Sequence, residues 1–190
     1  MRKVLRLNWL ALRALAAALL LSSPARIDAA KPAKPTADAG GCARVHKALE
    51  NVLTTPAHVY TRETSSRRGT TVTETIYLDG KVYVLTNARW TLSPDSAVDM
   101  VKAQRKSREH ATLSCERVGA ETLEDRATGV YTTVRSTSDS RVESKLWIDE
   151  ASGLLLKQEE DLTATGDPSN VVHRTTRYEY GNVKAPKLPE

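Results

Sequence analysis

Val45, Ala48, Leu49, Val52 and Leu53 recur at helical spacing, with Arg44, Lys47, Glu50 and Asn51 filling the other side. This predicts an amphipathic helix over about residues 42–53, ended by Thr54-Thr55-Pro56. After Pro56 the pattern changes. Thr and Val become dense, which suits half-buried pleated strands. Strands are expected near 57–65, 70–78 and 81–87, with Asp79-Gly80 as a two-residue hairpin turn between the last two. Arg89 to Leu92 are expected to continue the third strand past a kink. Ser93-Pro94-Asp95 reads as an N-cap, a first helical position and an acid at the positive end of a helix dipole, so a second helix is expected over 94–108. Further strands are expected near 111–121, 127–137, 141–149, 154–164 and 170–181, with turns at Gly153 and at Gly166-Asp167-Pro168.

Strands joined by such short links make an antiparallel meander rather than parallel crossover units. The expected fold class is α+β: a curved antiparallel sheet of about eight strands, an incomplete β-barrel, with two helices covering its apolar concave face. Alternation gives the last strand two faces. Val172, Thr176, Tyr178 and Tyr180 share one, and His173, Thr175, Arg177 and Glu179 the other. In the preceding strand Leu154, Leu156 and Leu162 share a side that Gln158 and Glu160 interrupt. No internal repeat is visible.

The first 30 residues follow a different logic. Arg2, Lys3 and Arg6 precede an apolar run from Leu10 to Leu21, which Ser22-Ser23-Pro24 and small residues close. That is the layout of a secretory signal peptide over 1–30. The alternative, an uncleaved anchor, is disfavoured because the run falls short of the roughly 20 residues needed to span a bilayer. Lipid attachment at Cys42 is disfavoured because Lys31, Pro32, Lys34, Pro35 and Asp38 separate it from the apolar run. The expected organisation is a signal peptide (1–30), a flexible leader (31–41), one domain (42–185) and a tail (186–190), with no transmembrane segment in the mature chain. A length of 190 residues suits one such domain. The formal charge of +5 is misleading, because residues 1–30 hold five of the 28 basic residues and one of the 23 acidic ones. The rest is close to neutral, so a nucleic-acid partner is not expected. Arg67-Arg68 and the Lys102–Arg108 stretch read as solvated faces, with contact to anionic headgroups a minor alternative for the second.

Cys42 and Cys115 are the two cysteines. With export to a periplasmic or extracellular compartment they suggest one disulfide, the alternative being two unrelated buried thiols. Little else in the sequence carries chemistry. His46, His58, His110 and His173 show no metal-ligand spacing, and the motifs of nucleophile elbows, phosphate loops and dinucleotide sites are missing. The run Glu159-Glu160-Asp161 reads as a solvated edge. No cofactor, metal or catalytic residue is nominated.

The segment from Leu146 to Glu159 (LWIDEASGLLLKQE) resembles a hairpin of the periplasmic lipoprotein-carrier superfamily, with Trp147, Asp149, Gly153, Leu154, Lys157 and Glu159 as its marks. The order of signal peptide, N-terminal helix and long meander is similar too. The resemblance implies an incomplete β-barrel lidded by helices, whose concave face binds acyl chains or lipoprotein segments. Trp90, Trp147, Tyr178 and Tyr180 are the candidates for lining that face, core packing being the commoner use of such side chains. The leading expectation is therefore an exported, non-enzymatic protein that binds a hydrophobic or amphipathic ligand: a lipid, an acylated peptide or a lipoprotein. The alternatives are an envelope sensor, regulator or scaffold that binds another protein, and an exported enzyme without a recognisable motif.

Overall fold

The computed structural model describes residues 39–189. The signal peptide expected over 1–30 and most of the leader lie outside the described residues. Two helices and nine strands follow in the order α1 (Ala39–Thr54), β1 (Ala57–Ser65), β2 (Gly69–Leu78), β3 (Lys81–Thr86), β4 (Arg89–Leu92), α2 (Ala97–Glu109), β5 (Thr112–Leu123), β6 (Arg126–Ser136), β7 (Ser140–Asp149), β8 (Leu155–Ala164) and β9 (Asp167–Tyr180). The strands form one antiparallel sheet in the order β4-β3-β2-β1-β9-β8-β7-β6-β5. The chain runs outward from the middle through β1 to β4, crosses by α2 to the far edge, and returns through β5 to β9 until β9 pairs with β1. The edge strands β4 and β5 do not pair, so the barrel is incomplete. No described helix is long and apolar enough to cross a membrane.

Three local expectations need correction. Residues 39–41, assigned to a leader, form the first turn of α1. Arg89–Leu92 is not the end of the third strand. Asn87 and Ala88 take φ of 51° and 59°, so the chain turns back and β4 pairs with β3 as a ninth strand. The second helix starts at Ala97 rather than Pro94. Ser93 accepts a hydrogen bond from the Asp95 backbone at 3.2 Å, which closes a tight turn. Ser96 is the N-cap. Its hydroxyl accepts the Asp99 N–H, while the Asp99 carboxylate accepts the Ser96 N–H, a reciprocal capping box. By contrast, Asp79-Gly80 is the expected turn, with φ of 51° and 73°.

The core lies between α1 and the sheet. Val45, Ala48 and Val52 are buried against Val59, Cys115, Tyr131, Leu146, Ile148 and Leu155. The Cys42–Cys115 disulfide ties the first turns of α1 to the edge strand β5. The resembling hairpin docks on the same helix. Arg44 donates to the Glu150 carbonyl (3.4 Å) and Asn51 to that of Gly153 (3.5 Å). Inside the turn, the buried Asp149 carboxylate accepts from Arg126, from the Ser152 backbone (3.1 Å) and from the Ser152 hydroxyl. Burial pushes this acid up, but the Ser152 and Arg126 hydrogen bonds outweigh it and hold it below the usual carboxylate range. Gly153 sits at φ +70°, where a side chain would be strained. A bulge places both Leu155 and Leu156 in buried positions, a shift the strict alternation of the sequence does not anticipate.

α2 lies against α1, where Arg105 and Arg108 both reach Glu50 (2.8 and 3.0 Å). The basic stretch expected to be a solvated face is thus partly an inter-helix clasp. Residues 181–189 follow β9 without regular structure.

Candidate functional site

The concave face is not filled. A cavity of about 550 Å³ lies between α1, α2 and the sheet. Its size falls in the range of small-molecule sites. The side chains around it follow from strand pairing. Because strand residues alternate faces, the same parity on adjacent strands builds rows that run across the sheet.

The row nearest α1 is apolar in character. It includes Val59 beside Tyr178, with Tyr77, Leu49 and Val52 near it. The next row is polar, with Thr61 paired to Thr176 and its hydroxyl 3.3 Å from that of Thr176, and Gln158 beyond. The third is charged. Arg174 stands between Glu63 on β1 and Glu160 on β8 and donates to both (2.8 and 3.2 Å). Ser144 on β7 donates to Glu160 at 3.4 Å. Gln158 bridges the rows, donating to Glu160 (2.7 Å) and accepting from the Tyr178 hydroxyl (3.0 Å). A continuous hydrogen-bonded belt therefore crosses the concave face from β1 to β7.

The electrostatics of the belt are self-consistent. Burial opposes a charge on Arg174, yet Glu63 and Glu160 outweigh that and raise its pKa. Burial, then the Glu160 charge, push the Tyr178 phenol well above its usual value, so it serves as a neutral donor. Glu63 and Glu160 are both engaged by one guanidinium, which leaves no free acid–base pair there. Among the described residues no cluster of three His, Cys, Asp or Glu side chains could hold a metal ion.

Of the four aromatic candidates only Tyr178 lines the cavity. Tyr180 packs at the edge of the core and donates to the Leu155 carbonyl at 2.8 Å. Trp147 is buried without lining the cavity: it alternates with the cavity-lining Leu146 and lies on the convex face. There it is buried between the Lys145 and Lys157 ammoniums, 4.5 and 4.6 Å from the ring, and its N–H donates to Glu121. Trp90 is a correction: it sits half-buried on edge strand β4 beside His58, outside both the core cluster and this cavity. Lys157 and Glu159 pair with each other at 2.7 Å, on the side of β8 that alternation turns away from the cavity. Leu154 closes the hairpin turn by accepting the Asp149 N–H.

Three cavity-lining positions escaped the sequence reading. Glu160 was assigned to a solvated edge, but its parity with Gln158 and Leu162 turns it into the cavity. Arg174 shares parity with Thr176 and Tyr178, which was the available signal. His46 also lines the cavity, and its Nε2 is buried without a hydrogen-bond partner.

No family model matches the chain, and no curated protein matches it. Several solved structures are similar, among them the following three. LprF from Mycobacterium bovis is 10% identical with a TM-score of 0.40, the match covering 82% of this chain and 98% of that one. MucB, in complex with MucA(peri), is 13% identical with a TM-score of 0.44, over 77% of this chain and 60% of that one. The LolA superfamily protein NE2245 from Nitrosomonas europaea is 10% identical with a TM-score of 0.29, over 78% and 94%. At such identities and scores the functional reading rests on the cavity itself.

Proposed function

We propose that this chain is an exported, non-enzymatic binding protein whose concave cavity holds an amphipathic ligand. One observation carries the reading. A helix and a curved sheet that meet to form a core would ordinarily fill the space between them, as protein interiors do. Here the space stays unfilled and is lined in graded order, apolar beside α1 and charged beyond it. A purely apolar ligand would strip water from the Glu63–Arg174–Glu160 belt without replacing its hydrogen bonds, which is costly. A purely polar one would leave the exposed parts of Leu49, Leu53 and Tyr77 wet. A molecule with a tail and a head, a lipid or an acylated peptide, satisfies both ends. The disulfide supports work in an oxidising compartment such as the periplasm.

Native mass spectrometry of protein exported and purified without detergent tests this. The expected result is an adduct of lipid-like mass that denaturation removes. A clean, ligand-free monomer that also fails to take up added amphiphile would overturn it. Weight would then move to an envelope interaction protein acting through a sheet edge.

A further inference from the structure

Two charged regions line the cavity. In the belt, Arg174 neutralises one of the two carboxylates it touches. The second region is the corner where α1, α2 and β6 meet. Arg135 of β6 lines it, half-buried, and donates to the Ser107 hydroxyl at 3.3 Å. Among the described residues no carboxylate lies within ion-pair distance of Arg135. Arg108 of α2 lines the same corner, its charge already met by Glu50 (3.0 Å) and one further N–H by Gln104 (3.2 Å). His46 completes it with the buried, unpartnered Nε2. Burial, then the Arg108 charge, hold this imidazole below its usual pKa. A neutral ring with hydrogen on Nε2 is a donor in need of an acceptor.

We propose that this corner seats an anionic headgroup, so that the cavity takes a single-chain amphiphile bearing a carboxylate or a phosphate. The inference rests on the binding role proposed above and adds the charge and orientation of the ligand. Two features converge. A partly buried guanidinium without a counterion is unfavourable, and an anion would offset it. The His46 Nε2 group is unsatisfied, and an anionic oxygen is the strongest acceptor it could meet. The tail then runs over the partly exposed side chains of Leu49, Leu53 and Tyr77. A cavity of about 550 Å³ is of single-molecule size, which favours one chain over a multi-chain lipid.

The test uses three probes of equal chain length, dodecanoate, dodecyl phosphate and neutral dodecanoyl glycerol, titrated calorimetrically below their micelle concentrations. Wild type should bind at least one anion about tenfold more tightly than the neutral probe, the scale of one charge-assisted hydrogen bond. Which anion shows the gain identifies the head as carboxylate or phosphate. Arg135→Gln should remove that gain and leave the neutral affinity unchanged, and Arg135→Lys should retain most of it. Melting curves confirm that both variants fold. Equal affinity for all three probes, or a gain that survives Arg135→Gln, overturns the inference while leaving the binding role intact. Binding of none of the three overturns both.

Discussion

Reducing the Cys42–Cys115 disulfide probes how α1 is held to the sheet. The two residues are 73 apart in sequence with Cα atoms 5.1 Å apart. One lies in the first turns of α1 and the other in edge strand β5. Opening the link frees a closed loop of 74 residues in the unfolded chain, which the chain-entropy relation puts at about 4 kcal/mol. For a domain of this size each kcal/mol moves Tm by about 2–4 °C, so the oxidised protein should melt roughly 8–16 °C above the reduced one. Cys42 is half-buried, so Cys42→Ser should match reduction and lose all sensitivity to reductant. Cys115 is 5% exposed within the core cluster, so Cys115→Ser also buries a hydroxyl and should fall at least as far. The assay is a thermal melt followed by circular dichroism, with and without reductant at one pH. Coincident melts of oxidised and reduced wild type would refute the reasoning.

Other consequences follow from single groups. Arg105, with Arg108, holds Glu50 down to about 2, well below the usual carboxylate range. Its contribution to stability is therefore complete above its unfolded value and fades as pH falls from about 4.5 towards 2. Glu50→Gln should cost about 1 kcal/mol near neutral pH and less towards pH 2, read from urea midpoints across that window. Trp147→Ala should destabilise by about 3 kcal/mol, because it empties a buried site and leaves Lys145, Lys157 and Glu121 without their shared partner; chemical denaturation measures this. A Cβ at Gly153 would meet nothing within 4 Å, so Gly153→Ala tests backbone strain alone, and urea denaturation should show a loss of about 1–2 kcal/mol.

The sheet was legible because its turn chemistry is local. Asp79-Gly80 and Gly153 fix hairpins whatever lies elsewhere. The start of α2 was misplaced because two serines, 93 and 96, both suit an N-cap. The reciprocal bond with Asp99 decides between them, and it forms only once the helix does. β4 was merged into β3 because Asn87-Ala88 lacks the glycine that ordinarily marks a left-handed turn. The cavity was harder to foresee. Its belt joins Glu63 to Arg174 across 111 positions, and only the pairing of β9 with β1 makes them neighbours. Trp147 was open to either use, lining or packing, and parity with Leu146 decides its face. Glu160 was dismissed with its neighbours Glu159 and Asp161, although alternation alone separates them.

The most direct measurement is the binding of a fluorescent amphiphile to wild type and to Thr75→Trp. Thr75 lines the cavity opposite Val59 and is not part of the packed core, so an indole there occupies the space without disturbing the fold. The account predicts saturable single-site binding to wild type and its loss in the variant, with Tm unchanged. Equal binding to both proteins would place the ligand elsewhere and contradict the central claim.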